Sequence, residues 1–259
     1  TTMGYYLNPN SEIYESIVNS KTFVDKSELI AFTNSCLKRY DSKNICVSRP
    51  RRFGKTVNLN MLAAYYSMGC DSKEIFDKLK ISKDASYEQH LNKYNVIRIN
   101  MQEALSNSHN VSEMLDYIKT TVLWDFDEVY PDVKYFNRNI LNRCLSDVYR
   151  YSKKPFIFLI DEWDCIFREY RDDKESQNKY LDFLRDLFKD KEYTALVYMT
   201  GILPIKKYGT HSALNMFNEY SMIDSFPISG STGFTDKEVQ ALCEQYGENI
   251  DTMRYWYNG

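Results

Sequence analysis

The sequence predicts an α/β protein in which a mainly parallel β-sheet is sandwiched between two layers of helices. Short apolar segments alternate with segments of helical periodicity along most of the chain, as in parallel sheets with helical crossovers. One apolar segment, FIFLID at 156–161, shows no polar alternation and is typical of a strand buried on both faces. The 259 residues are 43% hydrophobic and 27% charged, which suffices for one large globular domain or one domain plus a small one.

The order of the predicted elements divides the chain into two parts. The predicted strands are 44–48, 95–100, 156–161 and 194–200, and the predicted helices are 27–39, 56–68, 111–129, 137–149 and one around 181–188. The pattern changes after Pro227, where Thr235 and Glu238 form a capping box at the start of a helical segment that no strand follows. We therefore expect a core with a helical lead-in at 1–230, and the beginning of a helical lid or C-terminal subdomain at 231–259.

Composition argues against several classes of protein. The formal net charge is −3, so no overall basic field indicates nucleic-acid binding. The six cysteines include no C-x-x-C pair and the three histidines lie far apart, so we expect reduced thiols, no zinc site and a cytoplasmic protein. We see no signal-peptide pattern at the N-terminus and no apolar run of membrane-spanning length, so no membrane association is expected.

The segment SRPRRFGKTVN at 48–58 ends in the second half of the phosphate-loop pattern G-x-x-x-x-G-K-[ST]. In that pattern consecutive backbone N–H groups surround the β-phosphate, the lysine bridges phosphate oxygens and the Ser/Thr hydroxyl binds Mg²⁺. Gly54, Lys55 and Thr56 stand between a predicted strand and a predicted helix, which is the context that such a loop requires.

Arg49 occupies the position of the first glycine, which usually permits a tight bend after the strand. Pro50 compensates in part, because it fixes its own φ and favours an extended conformation at Arg49. Arg51 and Arg52 add positive charge beside the expected phosphates. The alternative for this stretch, taken alone, is a basic surface turn before a helix.

The segment FIFLIDEWD places two carboxylates, Asp161 and Glu162, at the carboxyl end of a buried strand. Such groups are costly there unless they serve a cation or a reaction, and phosphate-loop enzymes use an aspartate at this position to hold Mg²⁺. The following glutamate can polarise an attacking water. Thr200, at the end of another strand, could contact the γ-phosphate. The alternatives are a solvated acidic turn at 161–162 and a hydroxyl that caps its own turn before Gly201.

Together these segments resemble the bacterial AAA-ATPase-like family. The similarity lies in RPRRFGKT, in FVDKSELI upstream, in FIFLIDEWD, in VYMTGILPIKK, in STGFTDKEV and in the closing WYNG. In that family arginine is the usual residue at the position of Arg49, so the missing glycine does not imply an inactive site. The resemblance also implies a P-loop NTPase three-layer sandwich, and a C-terminal domain similar to PD-(D/E)xK nucleases in many members.

We therefore predict a Mg²⁺-dependent domain that binds and hydrolyses ATP and couples its nucleotide state to an unidentified partner or C-terminal effector. The expected catalytic residues are Lys55, Glu162 and Thr200, and the expected Mg²⁺ ligands are Thr56 and Asp161. The expected nucleotide-binding residues are Arg49, Pro50, Arg51, Arg52, Phe53, Gly54, Lys55, Thr56 and Val57.

Alternatives to an ATPase remain open at this point. One is a nucleotide-binding switch or scaffold with little or no turnover, against which Glu162 argues. Another is a nuclease, for which the sequence shows no complete set of metal-binding carboxylates and lysine. For an ATPase we expect an arginine from elsewhere to complete the site, with Arg168, Arg171 and Arg254 as candidates and a homo-oligomer as one source. A nuclease-like domain or DNA as partner is implied by the resemblance only, and Phe23–Lys26 is a candidate adenine contact.

Overall fold

The computed structural model describes residues 3–49, 55–205, 211–223 and 226–229. Its strands are β1 (Asn44–Ser48), β2 (Asn95–Asn100), β3 (Phe156–Asp161), β4 (Thr194–Gly201), β5 (Asn218–Ile223) and β6 (Phe226–Ser229). Its α-helices are α1 (Glu12–Val18), α2 (Glu28–Cys36), α3 (Lys55–Tyr66), α4 (Lys73–Phe76), α5 (Tyr87–His90), α6 (Met101–Ser106), α7 (Val111–Val129), α8 (Leu141–Ser152), α9 (Cys165–Glu169), α10 (Lys174–Phe188) and α11 (Ser212–Asn215). A 3₁₀-helix spans Lys80–Lys83.

The six strands form one sheet in the order β2-β3-β4-β1-β5-β6. Every neighbouring pair is parallel except β5 and β6, which form an antiparallel hairpin at one edge. A single strand, β4, separates β1 from β3. The mainly parallel α/β fold is therefore confirmed, and the carboxyl ends of β1, β3 and β4 lie side by side.

Helices cover both faces of the sheet, which gives the predicted three layers. The hydrophobic core on one face contains side chains of α6, α7, α8, α9 and α10, and the core on the other face contains side chains of α2 and α3. Alternate residues of β3 enter the two cores: Phe156, Phe158 and Ile160 the first, Ile157 and Leu159 the second. Every residue of β3 and β4 is buried, because a parallel strand between two helical layers has no solvent face.

The sequence did not predict the edge hairpin. β5, NEYSMI, carries Asn218, Glu219 and Ser221 in place of a continuous apolar run, so its hydrophobicity falls below that of the central strands. β6 contains Pro227, which usually argues against a strand. Proline is tolerated at a sheet edge because one row of N–H groups there has no strand to bond. The predicted part beginning at residue 231 lies outside the described residues.

The amino-terminal segment protects the opposite edge of the sheet. Leu7 forms an antiparallel bridge with Ile97 of β2, and the Arg98 N–H donates to the Tyr6 carbonyl oxygen at 3.0 Å. The segment is held in turn by Asp125 on α7, whose side chain is 1% exposed. Its carboxylate accepts from the backbone N–H groups of residues 5, 6 and 7 at 2.9, 2.7 and 3.1 Å.

Within the described ranges, none of the helices has both the length and the apolar character that crossing a bilayer would require. The five cysteines of the described part are all free thiols. Burial raises the pKa of Cys165 to about 12, so this thiol stays protonated at neutral pH.

Candidate functional site

The carboxyl ends of β3 and β4 bring Asp161 and Thr200 together beneath α3. Asp161 follows the alternation of Ile157 and Leu159, so its side chain points toward the α3 face of the sheet. It is 4% exposed, and its Oδ1 accepts a hydrogen bond from Thr200 Oγ1 at 3.0 Å. Two of the predicted site residues are therefore in contact, and the hydroxyl of Thr200 bonds to Asp161 instead of capping its own turn.

Arg49 continues the sheet by one residue beyond β1. Its backbone N–H donates to the Gly201 carbonyl oxygen at 2.9 Å, and its φ is not positive, so this position does not require glycine. The side chain is only 5% exposed. Burial lowers the pKa of the Arg49 guanidinium, while nearby Tyr198 and Asp161 act in the opposite direction. An arginine remains charged even so, which places a positive charge close to Asp161.

The phosphate-loop residues themselves are only partly described. Residues Pro50 to Gly54 lie outside the described residues, as does the side chain of Lys55, the first residue of α3. Thr56 is exposed and Val57 is half-buried in the first turn of that helix. The strand and the helix predicted on either side of these residues are present, since β1 ends at Ser48 and α3 begins at Lys55. The phosphate contacts predicted for these residues remain predictions.

Glu162 has a left-handed backbone directly after β3, with φ of 54°. Few residues other than glycine and asparagine adopt this conformation, which costs on the order of 1–3 kcal/mol and is concentrated at functional sites. The turn is held because the Trp163 N–H donates to the Thr200 carbonyl oxygen at 3.1 Å. The extended backbone of β3 therefore ends at Asp161, and the turn that follows begins at Glu162.

Arg168 lies between two carboxylates of its own chain. Its Nη2 is 3.5 Å from Glu162 Oε2, and its Nε is 3.5 Å from Asp164 Oδ1. The Arg168 side chain is 17% exposed and that of Glu162 is 21% exposed. These ion pairs hold the Arg168 guanidinium at the end of β3 of its own chain, and its role in completing a site stays a prediction. Arg171 is exposed, and Arg254 lies outside the described residues.

Asp164 is a site residue that the sequence did not reveal. It is completely buried, and its Oδ2 accepts from the backbone N–H groups of Ile202 and Leu203 at 3.0 and 2.8 Å. It therefore joins the turn after β3 to the segment after β4. A Cβ atom at Gly201 would lie 2.6 Å from Trp163 Cδ1 and 2.8 Å from Asp164 Oδ1, so this contact requires glycine. The sequence signal for Asp164 was its position as the third acidic residue at the end of a buried strand, after Asp161 and Glu162.

Arg98 is a second residue that sequence reasoning missed. It lies on β2, where Arg98 is in register with Leu159 and Asn100 with Asp161. Arg98 and Asp161 are thus diagonal neighbours on the α3 face, and Nη1 of Arg98 donates to Oδ1 of Asn60 on α3. Burial lowers the pKa of the Arg98 guanidinium, and the charge of Asp161 opposes that shift. The signal was a charged residue inside an otherwise apolar strand.

A comparison of the sequence with known families gives one clear result. The profile of the family described as "Predicted AAA-ATPase" matches residues 12–210, which include β1, the predicted phosphate loop, β3 and β4. The chain belongs to the AAA-ATPase-like family. The fusion to a nuclease-like domain that the resemblance implied remains a prediction.

Two known proteins are similar to this AAA-ATPase-like chain. A protein of Azotobacter chroococcum mcd 1, described as an uncharacterized protein in the vnfD 5′ region, is 23% identical over 224 residues. The match covers 82% of this chain but 41% of that relative, so the chain spans less than half of the relative's length. The ORC2 protein of Aeropyrum pernix, solved in ADPNP-ADP complexes, matches 89% of this chain and 55% of its own, with a TM-score of 0.43 and 9% identity.

The donor atoms at the strand ends suit a magnesium ion. Mg²⁺ prefers oxygen ligands and is usually held by one or two protein groups together with substrate phosphates. The carboxylate of Asp161 and the hydroxyl of Thr56 are such ligands. The described residues contain no group of three or more His, Cys, Asp or Glu side chains arranged to hold a metal ion alone. A magnesium ion here would therefore depend on phosphate oxygens as well as on protein.

One further prediction concerns a segment away from these strand ends. Asp25, in the segment predicted to contact adenine, accepts from the N–H groups of Ser27 and Lys80, both at 2.8 Å. This segment is thereby fixed against the 3₁₀-helix, and its contact with adenine remains a prediction.

Proposed function

We propose that this domain binds Mg-ATP at the carboxyl ends of β1, β3 and β4 and hydrolyses it. The observation that carries the proposal is the buried pair of Asp161 and Thr200 beneath α3, with the strained Glu162 next to it. Phosphate-loop enzymes use a carboxylate at this strand end to hold Mg²⁺. Membership of the AAA-ATPase-like family supports the same reaction.

Each residue has a distinct role in this proposal. Lys55 bridges phosphate oxygens, and the backbone N–H groups of the loop residues that follow Pro50 surround the phosphates, with charge support from the helix N-terminus. Thr56 and Asp161 hold the magnesium ion, which when bound neutralises phosphate charge. Thr200 keeps Asp161 oriented through its hydroxyl and contacts the γ-phosphate side of the site.

Glu162 performs the proton chemistry in this proposal. Its carboxylate accepts a proton from the attacking water as the water oxygen bonds to the γ-phosphorus and the bond to the β-phosphate oxygen breaks. ADP and inorganic phosphate are the products. The left-handed backbone of Glu162 supports this role, because such conformations are concentrated at functional sites.

A switch with little turnover is the second candidate, and one observation favours it. The guanidinium of Arg168 lies 3.5 Å from the Glu162 carboxylate, and a neighbouring positive charge makes a carboxylate a weaker base. In that case nucleotide binding would change the conformation of the site, with chemistry too slow to matter.

Single-turnover hydrolysis of Mg-ATP by the wild-type chain, Glu162→Gln and the control Glu169→Gln separates the two candidates. Glu169 is an exposed carboxylate of α9. Loss of a positioned base reduces the rate by about 10²–10⁴-fold, so Glu162→Gln should bind Mg-ATP normally and hydrolyse it that much more slowly. Equal rates in all three proteins, or a wild-type protein that binds without turnover, would favour the switch.

We also infer that a complete site needs an arginine from another copy or partner. Phosphoryl transfer spreads charge over the γ-oxygens, and an added arginine contributes about 10³–10⁵-fold in rate. Arg171 is a candidate because it is exposed shortly after α9. Specific activity should then rise with protein concentration, and inactive Lys55→Ala protein should restore activity to an Arg171→Ala variant on mixing. A rapid rate that is flat with concentration would contradict this inference.

A further inference from the structure

The guanidinium of Arg168 occupies a position that neither the phosphate loop nor the magnesium site explains. It lies 3.5 Å from Glu162 Oε2 on one side and 3.5 Å from Asp164 Oδ1 on the other. Its Nε and Nη2 atoms are buried, and neither has a hydrogen-bond partner of normal geometry among the described residues. Buried guanidinium nitrogens without hydrogen bonds are unfavourable, so these two contacts should shorten when the site is completed by its ligand.

Asp164 makes the position of Arg168 rigid. Arg168 lies one helical turn after Asp164, and its backbone N–H donates to the Asp164 carbonyl oxygen at 3.3 Å. The other Asp164 oxygen, Oδ2, is bonded to the N–H groups of Ile202 and Leu203. The guanidinium is therefore anchored to a buried carboxylate that the backbone after β4 holds in place.

We propose that Arg168 is a positioning residue for Glu162, holding its carboxylate where it can orient the attacking water. The inference rests on the proposed hydrolysis of ATP. A charged and nearly buried guanidinium fixes the rotamer of Glu162, whose backbone is already held left-handed. The chain of contacts continues from Glu162 through Arg168 and Asp164 to the segment after Thr200, so both strand ends share one network.

Three variants of this chain test the proposal. Arg168→Met removes the charge and keeps an unbranched side chain, Arg168→Lys keeps the charge, and Arg143→Met is the control. Arg143 forms a pair with Asp147 at 3.7 Å on α8, where its side chain is 47% exposed. Each variant is also made with Glu162→Gln. The measurements are Mg-ATP affinity by calorimetry, single-turnover rate at saturating Mg-ATP, and melting temperature.

If Arg168 positions Glu162, its replacement should lower the rate of ATP hydrolysis and leave Mg-ATP affinity unchanged. Arg168→Met should bind Mg-ATP within about twofold of wild type and hydrolyse it about 10- to 100-fold more slowly, because a displaced catalytic group costs that much. Arg168→Lys should recover part of the rate, and Arg143→Met should match wild type. In the Glu162→Gln background Arg168→Met should have no further effect, since it acts through the missing carboxylate.

Other outcomes overturn the proposal in distinguishable ways. A rate in Arg168→Met that equals or exceeds wild type would show that Arg168 does not assist Glu162, and an independent loss in the double variant would show that it acts elsewhere. No turnover by the wild-type chain, with binding intact, would overturn hydrolysis and this inference together. If Arg168→Met does not fold, Arg168→Gln takes its place and the same comparison with Arg168→Lys applies.

Discussion

Two buried aspartates, Asp125 and Asp161, show how differently this molecule uses a carboxylate. Asp125 is 1% exposed and accepts three hydrogen bonds, all from backbone N–H groups of the amino-terminal segment. Asp161 is 4% exposed, accepts from the hydroxyl of Thr200, and lies near the guanidinium groups of Arg49 and Arg98. The carboxylate of Asp125 is therefore bonded to the backbone, whereas that of Asp161 has side chains as neighbours.

This difference in hydrogen-bond donors is the one expected between a carboxylate that stabilises the fold and a carboxylate that can bind a ligand. A Cβ atom at Gly4 would lie 2.6 Å from Asp125 Cγ, so the backbone encloses that carboxylate closely. Backbone donors cannot leave without unfolding the segment, whereas side-chain partners can be exchanged for a ligand through rotamer changes. Burial alone therefore does not identify a site, and the nature of the hydrogen-bond donors must be considered.

The largest effect on stability is expected for Asp164→Ala, which tests whether Asp164 behaves more like Asp125 or more like Asp161. Asp164 accepts hydrogen bonds from the backbone, as Asp125 does, and it has an arginine neighbour, as Asp161 has. Its removal leaves the buried N–H groups of Ile202 and Leu203 without their acceptor and takes one of two carboxylates from Arg168, at a cost of about 3–5 kcal/mol. The loss of unfolding free energy is measured by urea denaturation, with Asp127→Ala as the control.

Asp127 forms an exposed pair with Arg138 at 2.8 Å. Pairs of that kind contribute about 0–1 kcal/mol, so the control should change little. If the two variants were equally stable, the network around Asp164 would not hold the two strand ends together.

Gly201→Ala should have an intermediate effect. The added methyl group would lie 2.6 Å from Trp163 and 2.8 Å from Asp164, in a place with no room for it. Overpacking of a buried site costs about 1–3 kcal/mol, and the shift of Trp163 should also slow hydrolysis. Thermal unfolding and single-turnover rates measure the two effects. A variant as stable and as active as wild type would show that the turn after β3 tolerates displacement.

Arg49→Gly should change stability least. Glycine can adopt the extended backbone observed, and its greater freedom in the unfolded chain costs about 0.5–1 kcal/mol. Loss of the buried positive charge near Asp161 should nevertheless weaken Mg-ATP binding, with the fold intact. Affinity equal to or better than wild type would mean that the arginine only replaces a bend.

Much of the fold followed from the sequence because the central strands are apolar and the helices are periodic. The predicted helix at 111–129 and the strands at 44–48, 95–100 and 156–161 agree with the structure to the residue, and β4 is one residue longer than predicted. The helix predicted at 137–149 begins four residues later in the structure, at Leu141. Asn137 to Ile140 form a turn before the helix, in which the Ile140 N–H donates to the Asn137 carbonyl oxygen at 3.1 Å. The hairpin of β5 and β6 was missed because edge strands need little hydrophobicity.

The candidate site was predictable in its sequence motifs and not in its supporting contacts. Asp161 and Thr200 could each be placed at the end of a strand from the strand pattern. The roles of Asp164, Arg98 and Arg168 depend on contacts between residues of different strands and helices, which one sequence does not specify. Glu162 could be named from its position, but its left-handed backbone is a property of the turn that Trp163 holds.

The most direct test of the central claim compares Asp161→Asn with Asp125→Asn in one experiment. Mg-ATP affinity, with and without EDTA, and melting temperature are measured for both. Asp125→Asn removes charge-assisted bonds from backbone donors, so it should cost about 2–3 kcal/mol and leave affinity unchanged. Asp161→Asn retains an oxygen for the Thr200 hydroxyl, so it should destabilise less and lower Mg²⁺-dependent affinity by about 10- to 100-fold or more. An Asp161→Asn protein that is destabilised like Asp125→Asn, with Mg-ATP affinity unchanged, would contradict the account.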